Sequence, residues 1–130
     1  MTSHNIKTLL QPILEKYRDK IISAYLFGTG ASGEMHPRSD IDIALLFSGT
    51  TGSYVDLKLS LYADFCRVLK RDDIDVLVLN TANNLILLDQ VIRRGIVLFD
   101  RDKDLREEFE HRILHRTIDF KNQRFANMGI

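Results

Sequence analysis

Tryptophan is absent from the 130 residues, cysteine occurs once and proline twice. The lone Cys66 forbids an internal disulfide, so stability has to come from a packed core. It sits among Tyr62, Phe65 and Leu69 at helical spacing and reads as a buried thiol. Neither sign of charge is in excess, with 18 Lys plus Arg against 18 Asp plus Glu. That balance excludes the bulk positive field that holds long nucleic acid or an anionic membrane, and leaves only a small or locally held polyanion as ligand. Long apolar runs are missing too. The longest nearly uncharged stretch, Ile21 to Gly33, falls short of the roughly 20 residues that span a bilayer. The N-terminus lacks a basic segment followed by an apolar signal core, which predicts a cytoplasmic protein. Internal repeats, low-complexity tracts and an interdomain linker are also absent, so residues 1–130 are expected to form one domain.

What is present is ordinary globular material, 45% hydrophobic and 28% charged, enough to build a core. Ile6, Leu9, Leu10, Ile13, Leu14 and Tyr17 recur at helical spacing, interrupted by Pro12, which predicts a kink or short break near Leu10 and Gln11. Ile21 to Phe27 is rich in β-branched and aromatic residues and stops at Gly28-Thr29-Gly30, as a buried strand ending in a tight turn does. Asp40 to Phe47 alternates at its outset and reads as a second strand. Leu61 to Leu69 marks a helix ending in the cations Lys70 and Arg71, which suit its C-terminus. Ile74 to Leu79 is a third strand, Asn83 to Arg94 a helix stopped by Gly95, and Ile96 to Phe99 a short fourth strand. Leu105, Phe109, Ile113, Leu114 and Ile118 trace a final amphipathic helix. Strands alternating with helices predict an α/β fold, a small mixed sheet of about four strands flanked by helices.

The chemistry concentrates at the entrances of two strands. Asp40 and Asp42, two apart on a strand, project from one face about 6 to 7 Å apart. Like charges so placed raise each other's pKa, and a divalent cation is the direct counter-charge. Oxygen ligands select Mg²⁺ or Mn²⁺ over zinc. A third carboxylate opens the next strand, with Asp75 favoured over Asp73 because it lies inside the apolar run. A solvated strand end remains the plainer account of the spacing alone. Upstream, Gly28, Gly30 and Gly33 permit a turn tight enough for backbone amides to face an anion, and Thr29 adds a hydroxyl. Phosphate grip and metal grip therefore arrive together. Ser39 is placed either to cap the turn or to touch ligand. His111 and His115 read as surface or partner-facing histidines, and Tyr17, Tyr25, Tyr54 and Tyr62 as core or boundary aromatics. Arg67, Lys70, Arg71, Arg93 and Arg94 form either a basic surface or separate solvated helix ends.

The stretch Leu26 to Asp42, with Gly28-Thr29, ten residues and then Asp40-Ile41-Asp42, resembles the signature of the DNA polymerase beta type nucleotidyltransferases. Asp73-Ile74-Asp75-Val76-Leu77 and Arg93 to Asp100 are similar to the minimal members of that superfamily, the MntA-type antitoxins that pair with HEPN toxins. The family has serine where this chain has Thr29, and arginines in the turn where this chain has Gly30 and Ser32. The resemblance implies that Gly28 and Thr29 hold the β- and γ-phosphates of ATP, and that Asp40, Asp42 and Asp75 ligate two Mg²⁺ ions. It further implies that Asp75 assists deprotonation of the acceptor. The implied activity is transfer of AMP to a tyrosine of a HEPN ribonuclease, silencing it as a type VII antitoxin. Two other readings are carried alongside: an antitoxin that only binds and occludes its partner, and a small-molecule nucleotidyltransferase of the aminoglycoside-modifying kind.

Overall fold

The computed structural model describes residues 2–28, 40–49 and 53–127. Helix α1 (Ser3–Lys16) begins at Thr2, whose side chain accepts the Asn5 amide at 3.1 Å. Helix α2 (Tyr54–Leu69) is capped by Ser53 and helix α3 (Leu85–Arg94) by Asn84 in the same way. Each such cap satisfies an amide that the helix itself cannot, typically stabilising the helix by about 1 kcal/mol. The last helix, α4 (Lys103–Asn127), is entered through Asp102, whose carboxylate accepts the amides of Asp104 and Leu105. Strands β1 (Ile21–Phe27), β2 (Ile41–Phe47), β3 (Ile74–Val78) and β4 (Ile96–Asp100) follow the β-branched and aromatic runs.

Among the described residues these strands form one sheet in the order β3-β2-β1-β4. β1 is antiparallel to both β2 and β4, while β2 and β3 are parallel, with α2 as their crossover. Alternation splits the core in two. Ala24, Leu26, Ile41, Ile43 and Leu45 face α1 and α2, where Ile6, Leu10, Leu61 and Phe65 are fully buried. Tyr25, Phe27, Ala44 and Leu46 face α3 and α4 through Leu88, Val91, Phe109 and Ile113. Because both faces are covered, the strands read as nearly continuous apolar runs. At the far end of β2, the Asn80 carboxamide bonds both the amide and the carbonyl of Phe47 at 2.8 Å.

Several local expectations are corrected. Pro12 does not break α1, which runs unbroken from Ser3 to Lys16: Leu10, Ile13 and Leu14 are buried on both sides of it and offset the lost hydrogen bond. Leu9 lies off the packed stripe at 40% exposure, and Leu105 and Ile118 are likewise exposed. Cys66 is half-buried rather than enclosed. Among the described residues no helix is long and apolar enough to cross a membrane.

Candidate functional site

β1 leaves the sheet where β2 and β3 enter it, so the end of one strand and the beginnings of two share a single edge. In that register Asp42 lies between Phe27 on β1 and Asp75 on β3. Neighbouring strands lie about 4.8 Å apart, and partners in register project from the same face, so the two carboxylates are adjacent. Gly28 follows β1 with φ of 72° and packs against the Asp42 side chain. A Cβ there would collide with Asp42 Oδ2, so glycine is required both by the left-handed turn and by the close approach. Phe27, Gly28, Asp42, Asp75, Val76 and Leu77, with Leu87 and Gln90 of α3, line a cleft of about 480 Å³. That volume is in the range of small-ligand sites.

Among the described residues the cleft is acidic and uncompensated. Burial, then Asp75, then Asp40 push the Asp42 carboxyl up to about 6. Among the described residues no ion pair reaches Asp42 or Asp75. An all-oxygen donor set carrying unbalanced negative charge fits a hard divalent cation. Asp40 lies just before β2 and is exposed, and among the described residues no three acidic, histidine or cysteine side chains are gathered closely enough to enclose an ion. Asp42 and Asp75 are therefore the preformed pair, and Asp40 stands beside them.

Asp73 is occupied elsewhere. Arg71 grips its carboxylate with Nε at 2.7 Å and Nη2 at 2.5 Å, which holds the Asp73 carboxyl below its usual range. Its carbonyl meanwhile accepts the Ile41 amide at 3.0 Å. Lys70, in the left-handed region at φ of 56°, ends α2 and turns the chain to deliver Arg71 there. Arg71 is thus neither a solvated helix end nor part of a basic surface: its side chain is 15% exposed, and the bond to Asp73, then the fields of Asp73 and Asp40, raise its pKa against the cost of burial. Arg67 and Arg93 pair with Asp64 and Asp89 of their own helices.

Thr29, expected to contact phosphate, and Ser39, expected to cap the turn or touch ligand, lie outside the described residues, as do Gly30 and Gly33. His111 and His115 are exposed on α4, beside a shallow concavity of about 660 Å³ whose lining residues all belong to that one helix. It is larger than the acidic cleft, but among the described residues no second element opposes it, and it is surface relief. The cleft walls are not among the site residues expected from the sequence. Phe27 and Leu77 were accessible through strand alternation, which puts them on the Asp42 face. Leu87 and Gln90 carried no signal beyond their spacing of three on a helix.

The sequence matches the family model described as Polymerase beta, Nucleotidyltransferase over residues 9–104. No curated protein matches it significantly. Among solved structures, a chain of a toxin–antitoxin complex with AMP-PNP superposes with a TM-score of 0.76 at 25% identity, with 95% of each chain covered. A chain of the complex between a tri-AMPylated Shewanella oneidensis HEPN toxin and MNT antitoxin gives 0.72 at 22%, covering 98% of this chain and 97% of that one. A chain of an MntA–HepT toxin–antitoxin structure gives 0.70 at 23%, covering 97% and 96%. At these last two identities the likeness speaks for the fold.

Proposed function

Because this chain belongs to the polymerase beta nucleotidyltransferase family, we propose that it transfers AMP from ATP to a tyrosine of a partner HEPN ribonuclease and thereby silences it. The tyrosine oxygen bonds to the α-phosphorus, the bond from that phosphorus to the bridging oxygen breaks in line, and pyrophosphate leaves. The phenolic proton passes to the Asp75 carboxylate. Gly28 and Thr29 hold the β- and γ-phosphates, with Ser39 beside them, and Asp40, Asp42 and Asp75 are the cation ligands. A pair of Mg²⁺ ions, when bound, supplies charge neutralisation at the entering and leaving oxygens. Asp42 orients the site because its carboxylate is wedged between Gly28 and the Asp75 strand. The same reading takes residues 1–130 as one domain working in the cytoplasm.

One observation carries this reading: two carboxylates in register on parallel strands, one of them seated on a left-handed glycine, facing a cleft in which no cation among the described residues pairs with them. The partner and the nucleotide rest on likeness to toxin–antitoxin structures, one with AMP-PNP and one with an AMPylated HEPN toxin. The test is incubation with ATP, Mg²⁺ and the HEPN protein, followed by intact mass of that protein. A gain of whole AMP units is expected, falling at least about a hundredfold in rate for Asp42→Asn. Retained neutralisation by Asp42→Asn without any mass gain would instead establish occlusion.

A further inference from the structure

β3 is an outer strand of the sheet: β2 pairs on one side and, among the described residues, no strand pairs on the other. Asp73 accepts the Ile41 amide and Leu79 donates to the Leu45 carbonyl at 2.9 Å, so these odd-numbered positions turn their backbone groups toward β2. Alternation along the strand then turns the amides and carbonyls of Ile74, Val76 and Val78 outward. Beside this open ladder runs a groove of about 400 Å³, with Tyr54, Val55 and Lys58 of α2 on one side and Thr81 and Ala82 on the other. Val55 is 65% exposed and Leu59, one turn further along α2, 58%. Val76 and Leu77 line both this groove and the acidic cleft, so the two cavities are opposite sides of the same few residues.

We propose that the open edge of β3 binds an extended segment of the acceptor polypeptide as an added strand and leads its hydroxyl to the Asp75 end of the cleft. This deepens the adenylyl-transfer reading and rests on it. The outward backbone groups would pair with the incoming strand, and its alternate apolar side chains would cover Val55 and the groove. Continuity with the cleft selects this occupant. Val78 and Asp75 are three residues apart on a strand that rises about 3.3 Å per residue, so a segment paired along the groove reaches the carboxylates within about 10 Å. Lys58 at the groove wall favours a segment with an acidic residue at that position.

The experiment uses the full chain, a HEPN ribonuclease as acceptor, and ATP with Mg²⁺. Amide hydrogen exchange at Val76 and Val78 is expected to slow on complex formation. Val55→Asp is expected to raise the acceptor KM about tenfold, a loss of about 1.4 kcal/mol, with binding of a fluorescent ATP analogue as the control. An acidic residue suits the first turn of α2, so this variant keeps the fold. AMP transfer at the normal acceptor KM by Val55→Asp, or with Val76 and Val78 unprotected, would sink the edge assignment and leave the transfer reading intact. Protection without any AMP transfer would sink both, leaving a docking strand without acceptor chemistry. Protection that appears on concentrating the chain alone would give the edge to a second copy and overturn the proposal.

Discussion

Gly28 and Asp42 are fourteen positions apart in the chain and in contact in the fold, and each constrains the other. A side chain at residue 28 would have to adopt φ of 72° and displace the Asp42 carboxylate. Gly28→Ala is therefore expected to cost about 1–2 kcal/mol in denaturant unfolding and, unlike an ordinary turn substitution, to weaken Mn²⁺ binding measured by calorimetry. Asp42 carries the pH dependence. Its carboxyl is raised in the folded chain to about 6 from 3.8, by burial and then by Asp75 and Asp40. A raised acid favours the folded state below its unfolded value and loses that contribution as pH rises through about 6. Without a divalent cation, thermal stability should fall between about pH 4 and 7, and Asp42→Asn should remove that slope. After screening of a partly solvated cluster the gain for the variant near pH 7.5 is about 1 kcal/mol. Mg²⁺ should raise the melting temperature of the wild type and leave that of the variant unmoved.

At the scale of elements, the junction between α2 and β3 sets the register that pairs Asp42 with Asp75. Arg71 pins Asp73, and the Asp73 carbonyl pins the first amide of β2. Arg71→Leu should therefore speed hydrogen exchange at the Ile41 amide at least about tenfold, with smaller changes at Leu45 and Phe47, since the clasp acts at one end of the ladder. Lys70 occupies a left-handed C-terminal position that glycine fills without strain, so Lys70→Gly should add about 0.5–1 kcal/mol in the same unfolding assay. Much of this scale is legible in sequence. Alternation from Asp40 to Ile43 announces β2 and the face on which Asp42 sits, and the acidic entrance of Ile74 to Val78 announces β3. The Arg71 clasp is not legible, because it depends on one left-handed residue that carries no glycine to mark it. Nor is the continuity of α1 through Pro12, which is decided by what Leu10 and Ile13 pack against rather than by the proline. The groove beside β3 is invisible for a third reason: strand order is a property of pairing, and no periodicity within β3 records that it lies at the margin.

For the whole molecule, the sheet separates two apolar layers, and the acidic edge belongs to the layer built by α3 and α4. That layer is held by a polar network as well as by packing. The Tyr25 hydroxyl donates to Glu110 at 2.9 Å, and Arg106 bonds both Glu110 at 3.1 Å and Asp100 at 2.9 Å, joining β1, β4 and α4. Burial, and then the bond to Glu110, raises the Tyr25 hydroxyl well above the ordinary phenol range. Removing the central cation leaves two carboxylates facing a buried phenol. Arg106→Met should destabilise the fold by about 2–3 kcal/mol and loosen α4 before the sheet, visible as early loss of amide protection near Phe109 and Ile113.

The antiparallel return of β2 has a practical consequence at its other terminus. Gly49 follows that strand, about 23 Å from Asp42 by strand rise, and a Cβ added there meets no described residue within 4 Å. A cysteine installed at this tip, with Cys66 replaced by serine, would carry a dye into open solvent. The tumbling of such a label would report complex assembly from a vantage remote from the chemistry.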